Sequence, residues 1–206
     1  MEQMEAMARA RPVEVPAPKC DNIMIDMETL GTHADSMIVS IGAVKFTLDG
    51  YIDDRAFYCA IDLDSQKDRD FSHDTLAWWM RQSDGARAVF QDTIKLTLMN
   101  ALEELAEFID NENYKLWSNG ADFDIPILNH ALKQHGMKPL VKFWNHSCFR
   151  TVKNMFPQVP KPAYDGVQHN ALIDARQQAL WLQAIEKYRK DGVIAAPPAL
   201  KGFKKA

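Results

Sequence analysis

The chain has 206 residues, 47% of them hydrophobic and 25% charged, with a net charge of −4 and a pI of about 5.9. This balance is that of a soluble globular protein and excludes a basic coat that tracks a long duplex, so any nucleic-acid contact is expected to be short and local. The length predicts one domain over residues 21–190, with a flexible segment over 1–20 and a flexible tail over 191–206.

Residues 1–20 carry Arg-Ala-Arg-Pro and Val-Pro-Ala-Pro with no apolar period, which predicts an extended, mobile lead-in. The N-terminus has no apolar signal segment, and no run reaches transmembrane length. No membrane partner is expected. Ile23-Met24-Ile25 reads as a short buried strand that closes on Asp26-Met27-Glu28-Thr29. Met37–Phe46 is β-branched and apolar, a second strand, and Arg55–Ile61 a third, with Leu48-Asp49-Gly50 as the turn between. Helices then take over. Ser72 can cap one through Met80, with Asp74 near its positive end, and Thr97–Ile109 is apolar at helical spacing. Lys115–Ser118 predicts a short strand, broken by Asn119-Gly120, and a helix follows from Asp124 to Gln134. Cys148–Met155 reads as helical, and so does Asn170–Tyr188. A β-meander followed by alternating helices and strands predicts an α/β domain with a central mixed β-sheet flanked by helices.

Side chains alternate across a strand, so Asp26 and Glu28 leave one face and Met27 the other. Two neighbouring carboxylates repel each other, and burying them unpaired is costly. A divalent cation removes both problems, and hard cations such as Mg²⁺ take oxygen ligands. Taken alone, the word equally describes a strand end with two solvated acids. Asp124 reads as a helix N-cap beside Pro126, or as a carboxylate presented into a cleft by the start of that helix. Five residues at about 100° each put His169 and Asp174 about 140° apart on a helix. The simpler arrangement puts His169 in the loop before the helix, Asn170 as its cap and Asp174 in the second turn. Asp174 lies between Ile173 and Ala175, so its face is partly buried, and a buried acid needs a partner.

The order of these words adds to each of them. Asp26-Met-Glu-Thr-Leu-Gly, Asn119-Gly-Ala-Asp-Phe-Asp and His169-Asn-Ala-Leu-Ile-Asp-Ala resemble the three motifs of the DEDDh (DnaQ-like) exonuclease superfamily. Thr75-Leu-Ala-Trp-Trp, Gln82-Ser-Asp-Gly-Ala-Arg, Lys142-Phe-Trp-Asn and Arg150-Thr resemble its phage exonuclease branch, of the exonuclease A and exonuclease VIII type, to which bacterial exoribonucleases are related. The resemblance implies the ribonuclease H-like fold, two divalent metal ions (Mg²⁺ or Mn²⁺) and 3′-to-5′ cleavage. Carried over by motif, Asp26 would touch both ions, Glu28 and Asp174 one, and Asp124 the other, with His169 as general base. Two ions about 3.5–4 Å apart stabilise the attacking and leaving oxygens of an in-line displacement. An imidazole that titrates near neutral pH suits proton removal from the attacking water. Thr29 and Leu30 would touch the 3′-terminal nucleotide, with Leu30 wedged against its base, and Asn119 and Phe123 would complete the substrate site.

The expected partners are 3′ ends of single-stranded DNA or RNA, with DNA slightly ahead. Similar enzymes commonly dimerise, so a homodimer is compatible with the resemblance, although no residues identify an interface. Other readings of the same words are an exoribonuclease, a ribonuclease H-type endonuclease, which the His169-x4-Asp174 spacing argues against, and a non-catalytic nucleic-acid-binding module. The signature of that last class is a missing acid, and none of the four is missing. The three cysteines form no CxxC pair, which fits a reducing cytoplasm, bacterial or, for a phage-encoded protein, that of the host. Trp78 and Trp79 are about 100° apart on a helix, so one can pack inward while the other faces a surface. Arg150 either holds a phosphate or pairs with an acid. The Lys201–Lys205 tail reads as solvated charge.

Overall fold

A computed structural model of the protein describes residues 17–163 and 166–192. Most of the N-terminal segment and of the C-terminal tail, including Lys201–Lys205, lies outside the described residues. Six strands form one sheet in the order β4-β3-β2-β1-β5-β6. The meander is β1 (Asn22–Thr29), β2 (Ile38–Phe46) and β3 (Ile52–Ile61), paired antiparallel. β5 (Lys115–Ser118) runs parallel to β1 on its other side and carries β6 (His146–Cys148) parallel at the edge. The two-residue β4 (Lys95–Leu96) lies parallel to β3 at the opposite edge. The sheet is mixed, as the alternation of elements predicted.

The helices are α1 (His73–Met80), α2 (Asp84–Arg87), α3 (Leu98–Ile109), α4 (Asp124–Gln134), α5 (Phe149–Met155) and α6 (Ala171–Asp191). Their starts follow local chemistry. Ser72, Ser83, Thr97 and Asn170 each accept a hydrogen bond from the backbone N–H three residues on, satisfying a donor that the first turn leaves open. The structure differs from the sequence reading at short elements. β4, α2 and β6 went unpredicted, and the helix expected from Cys148 begins at Phe149, because Ser147 and Cys148 pair with Trp117 and Ser118. Elements of two to four residues have too little periodicity to be read, and tertiary pairing defines them.

The alternation along β1 divides the core. Ile23, Ile25 and Met27 pack under α3 and α4 with Leu102, Leu105 and Leu128. Met24 points to the other face, where Val44, Phe46, Phe149, Ala175 and Leu182 pack against α5 and α6. Asp26 and Glu28 therefore leave β1 toward α6. A smaller cluster of Leu30, Val39, Trp79 and Ala86 closes the end of β1 against α1 and α2.

Candidate active site

The site forms where the C-terminal end of β1, the start of α4 and the first two turns of α6 meet. The β1–β2 register shifts between Glu28 and Thr29, an irregularity that re-aims side chains at a strand end. Gly42 on β2 pairs with Asp26. A Cβ there would lie 2.2 Å from Leu172 N and 2.3 Å from Ala171 C. The missing side chain lets α6 settle directly on the sheet, which brings Asp174 to the acids of β1.

His169 sits before the helix at φ 61, an uncommon backbone state for a residue with a Cβ. That turn folds its ring back over the acids. Ligand atoms of Glu28, His169 and Asp174 all lie within 4.8 Å of one another. The 140° separation expected on a continuous helix is thus avoided by the loop, as the simpler arrangement predicted. The Trp78 ring meets the His169 ring edge-on at 4.8 Å between centres.

Asp124 is the first residue of α4 and accepts a hydrogen bond from Met27 N at 3.0 Å. It does not cap α4. Phe123 holds the cap position and makes no side-chain cap bond, so the Asp124 carboxylate is turned toward β1. Gln178, one turn beyond Asp174 on α6, donates from Nε2 to Asp26 Oδ1 at 2.7 Å. Its own Oε1, and Oδ1 of Asn119, are buried without a hydrogen-bond partner among the described residues.

The electrostatics show carboxylates crowded together. Burial raises the Glu28 carboxyl to about 8, helped by the charges of Asp174 and Asp124. Burial also raises Asp124 to about 7, against the pull of the Met27 N–H. Asp26 is pushed well up by burial and by Asp124, Glu28 and Asp174, with Gln178 opposing. Burial raises Asp174 too, against the nearby His169. Among the described residues, no lysine or arginine reaches ion-pair distance of any of the four. Clustered carboxylate oxygens that burial and mutual repulsion hold toward their neutral forms fit a hard divalent cation.

The cleft has two lobes that meet at Met27 and Glu28. One, of about 260 Å³, holds Asp26, Asn119, Lys153, Lys161, His169 and Asp174. The other is walled by Thr29, Gly31, Thr32, Asp74, Trp78 and Phe123. Thr29 and Phe123 line the cleft beside Glu28, and Asn119 lines the other lobe with the acids. Leu30 does not. It is 5% exposed and packs with Val39 and Trp79, and its backbone is engaged by Met37 O and Ser72 N. The bulge at Thr29 turns it into the core, so the expected wedge is corrected to a packing residue. The apolar wall of that lobe is Trp78, 36% exposed, while Trp79 is buried and donates to Thr29 O at 2.9 Å. Gln178, Lys153 and Lys161 went unread. Only Gln178 had a signal, its i+4 spacing from Asp174.

A family model described as the Rv2179c-like 3′-5′ exoribonuclease domain matches residues 21–186. The exodeoxyribonuclease of Enterobacteria phage T4 is 25% identical over 205 residues, covering 81% of this chain and 89% of that protein. Among solved structures, the nuclease domain of 3′hExo, a DEDDh family member bound to rAMP, is 15% identical with a TM-score of 0.57 over 90% of this chain and 100% of that one. E. coli exonuclease I in complex with a dT13 oligonucleotide is 13% identical with a TM-score of 0.58, covering 84% of this chain. The chain spans only 41% of the length of exonuclease I. At these identities the structural likenesses establish the ribonuclease H-like fold. With the family model matched across the domain on that fold, the chain belongs to the Rv2179c-like 3′-5′ exoribonuclease domain family.

Proposed function

We propose that the protein is a metal-dependent 3′-5′ exonuclease of single-stranded ends or 3′ overhangs, releasing nucleoside 5′-monophosphates. The observation that carries this reading is the convergence of Glu28, His169 and Asp174 within 4.8 Å, with Asp26 and Asp124 beside them. Asp26, Glu28, Asp124 and Asp174 would hold two divalent ions, Mg²⁺ or Mn²⁺, and the ions would supply charge stabilisation at the attacking and leaving oxygens. Gln178 fixes one oxygen of Asp26. His169 takes the proton of the attacking water. The bond from phosphorus to the upstream 3′ oxygen breaks, and that oxygen leaves with a proton as the new 3′-hydroxyl. Thr29, Trp78 and Phe123 receive the terminal nucleoside, whose base can pack on an aromatic face without regard to sequence.

DNA is favoured by the likeness to the phage exodeoxyribonuclease over most of both chains. The exoribonuclease description of the matched family favours a second reading, trimming of RNA. Side-by-side digestion of end-labelled single-stranded DNA and RNA of one sequence separates them. A 5′-labelled strand is expected to shrink as a ladder, a 3′-labelled one to lose its label at once as mononucleotide, and a 3′-phosphorylated strand to be cut much more slowly. Rapid cutting of a single-stranded circle would overturn the reading in favour of an endonuclease.

A further inference from the structure

The lobe of the cleft opposite Trp78 carries basic side chains as well as the acids. Lys153 and Lys161 line it together with Asp26, Glu28 and Asp174. Arg150 stands one turn before Lys153 on α5, three residues apart and so on the same side of the helix. Its Nη2 donates to Asn119 O at 2.7 Å, which ties it to the loop before Asp124. The Lys153 ammonium lies 5.6 Å from the ring centres of both Phe149 and Trp181. Neither Arg150 nor Lys153 forms an ion pair among the described residues. Burial and the like charges of Arg150 and Lys161 press the Lys153 amine down, as expected where basic groups share one lobe.

In a chain of net charge −4, a polyanion must be held by a local patch rather than by the overall field. The acids take the scissile phosphate, and the aromatic lobe takes the terminal nucleoside. A strand laid across the acids meets the cationic lobe next. We propose that Lys153, with Arg150 and Lys161, forms a phosphodiester-binding shelf that grips the backbone one linkage upstream of the scissile bond. This assignment rests on the exonuclease reading above. Lys153 contributes a point charge braced by two aromatic faces, and Arg150 a fork that spans the linkage and the Asn119 loop.

The test is binding, read by fluorescence anisotropy of a 5′-labelled single-stranded oligonucleotide with Ca²⁺ in place of Mg²⁺. One oligonucleotide is unmodified. The other carries an uncharged methylphosphonate at the second linkage from the 3′ end. Lys153→Gln is expected to weaken binding of the unmodified strand about tenfold, as for loss of a charged hydrogen bond. The slope of log affinity against log salt should shrink by about 0.7, as for one phosphate contact on a single strand. The methylphosphonate should weaken wild type by a similar factor and weaken Lys153→Gln no further, while Lys153→Arg restores most of the affinity. The wild-type comparison needs no variant to fold. Equal binding by wild type and Lys153→Gln overturns the shelf, as do losses that multiply. An equal loss for a free nucleoside 5′-monophosphate also overturns it, because the lysine would then hold the product phosphate. Failure of the exonuclease reading shows separately: wild type with the expected binding pattern would release no mononucleotide from the same strand in Mg²⁺.

Discussion

Gly42 faces Asp26 across the β1–β2 ladder, and its missing Cβ is what allows the first turn of α6 to touch the sheet. A methyl at Gly42 would meet backbone atoms of Ala171 and Leu172 rather than the end of a flexible side chain. Gly42→Ala must therefore push α6 outward, carrying His169 and Asp174 away from Glu28. Overpacking of this kind costs about 1–3 kcal/mol. Urea denaturation should show that loss, and nuclease activity should fall by more than the unfolded fraction explains. A variant as stable and active as wild type would show that this contact does not set the site.

The carboxylates make the metal-free protein sensitive to pH. The Glu28 carboxyl rises from its ordinary 4.5 to about 8, and that of Asp124 from 3.8 to about 7. The folded state therefore keeps protons that the unfolded chain has already released, so folding stability falls as pH rises through these windows. In excess chelator, the Tm should be highest below about pH 3.8 as far as these groups decide it, and should decline toward about pH 8. Mg²⁺ should raise the Tm more at the alkaline end and restore activity, as should Mn²⁺, while Ca²⁺ restores no activity. A chelated protein with a flat Tm across that range would contradict the crowding of the acids.

His169 is held by its left-handed backbone and by Trp78 rather than by the helix, so its removal should spare the fold. His169→Ala should bind Mg²⁺ as wild type does by calorimetry and lower the rate by about 10²–10⁴. Turnover equal to wild type at neutral pH would remove it as the base. By contrast, Asp26→Ala, Glu28→Ala, Asp124→Ala and Asp174→Ala should each abolish most activity while the chain still folds.

Leu30 packs in the core, where the family resemblance implied a wedge, and Trp78 walls the cleft. Leu30→Ala opens a cavity beside Val39 and Trp79 and should cost about 2–5 kcal/mol, with KM on short oligonucleotides little changed in the folded fraction. Trp78→Ala removes an exposed wall of the cleft and should raise KM with a small change in Tm. The reverse pattern, a raised KM for Leu30→Ala alone, would restore Leu30 as the wedge.

The sequence by itself determined the acids, their order and the elements that carry them. Asp26 and Glu28 share a face because the strand period is two, and Ser72, Thr97 and Asn170 cap their helices through contacts three residues apart. Such relations are local, and a linear pattern contains them. Only the tertiary structure decided which neighbours complete the site. Asp124 turns from a cap into a partner of Met27 N, 97 residues away in the chain. Leu30 turns inward because a bulge shifts the register at Thr29, and one residue of slip exchanges the two faces of a strand. Gln178 finds Asp26 across 152 residues. Lys153 and Lys161 reach the cleft from segments whose own periodicity says nothing of it. Their roles follow from the close approach of α6 at Gly42 and from the packing of α5 on the sheet, and distances between segments far apart in sequence are set by the packed core.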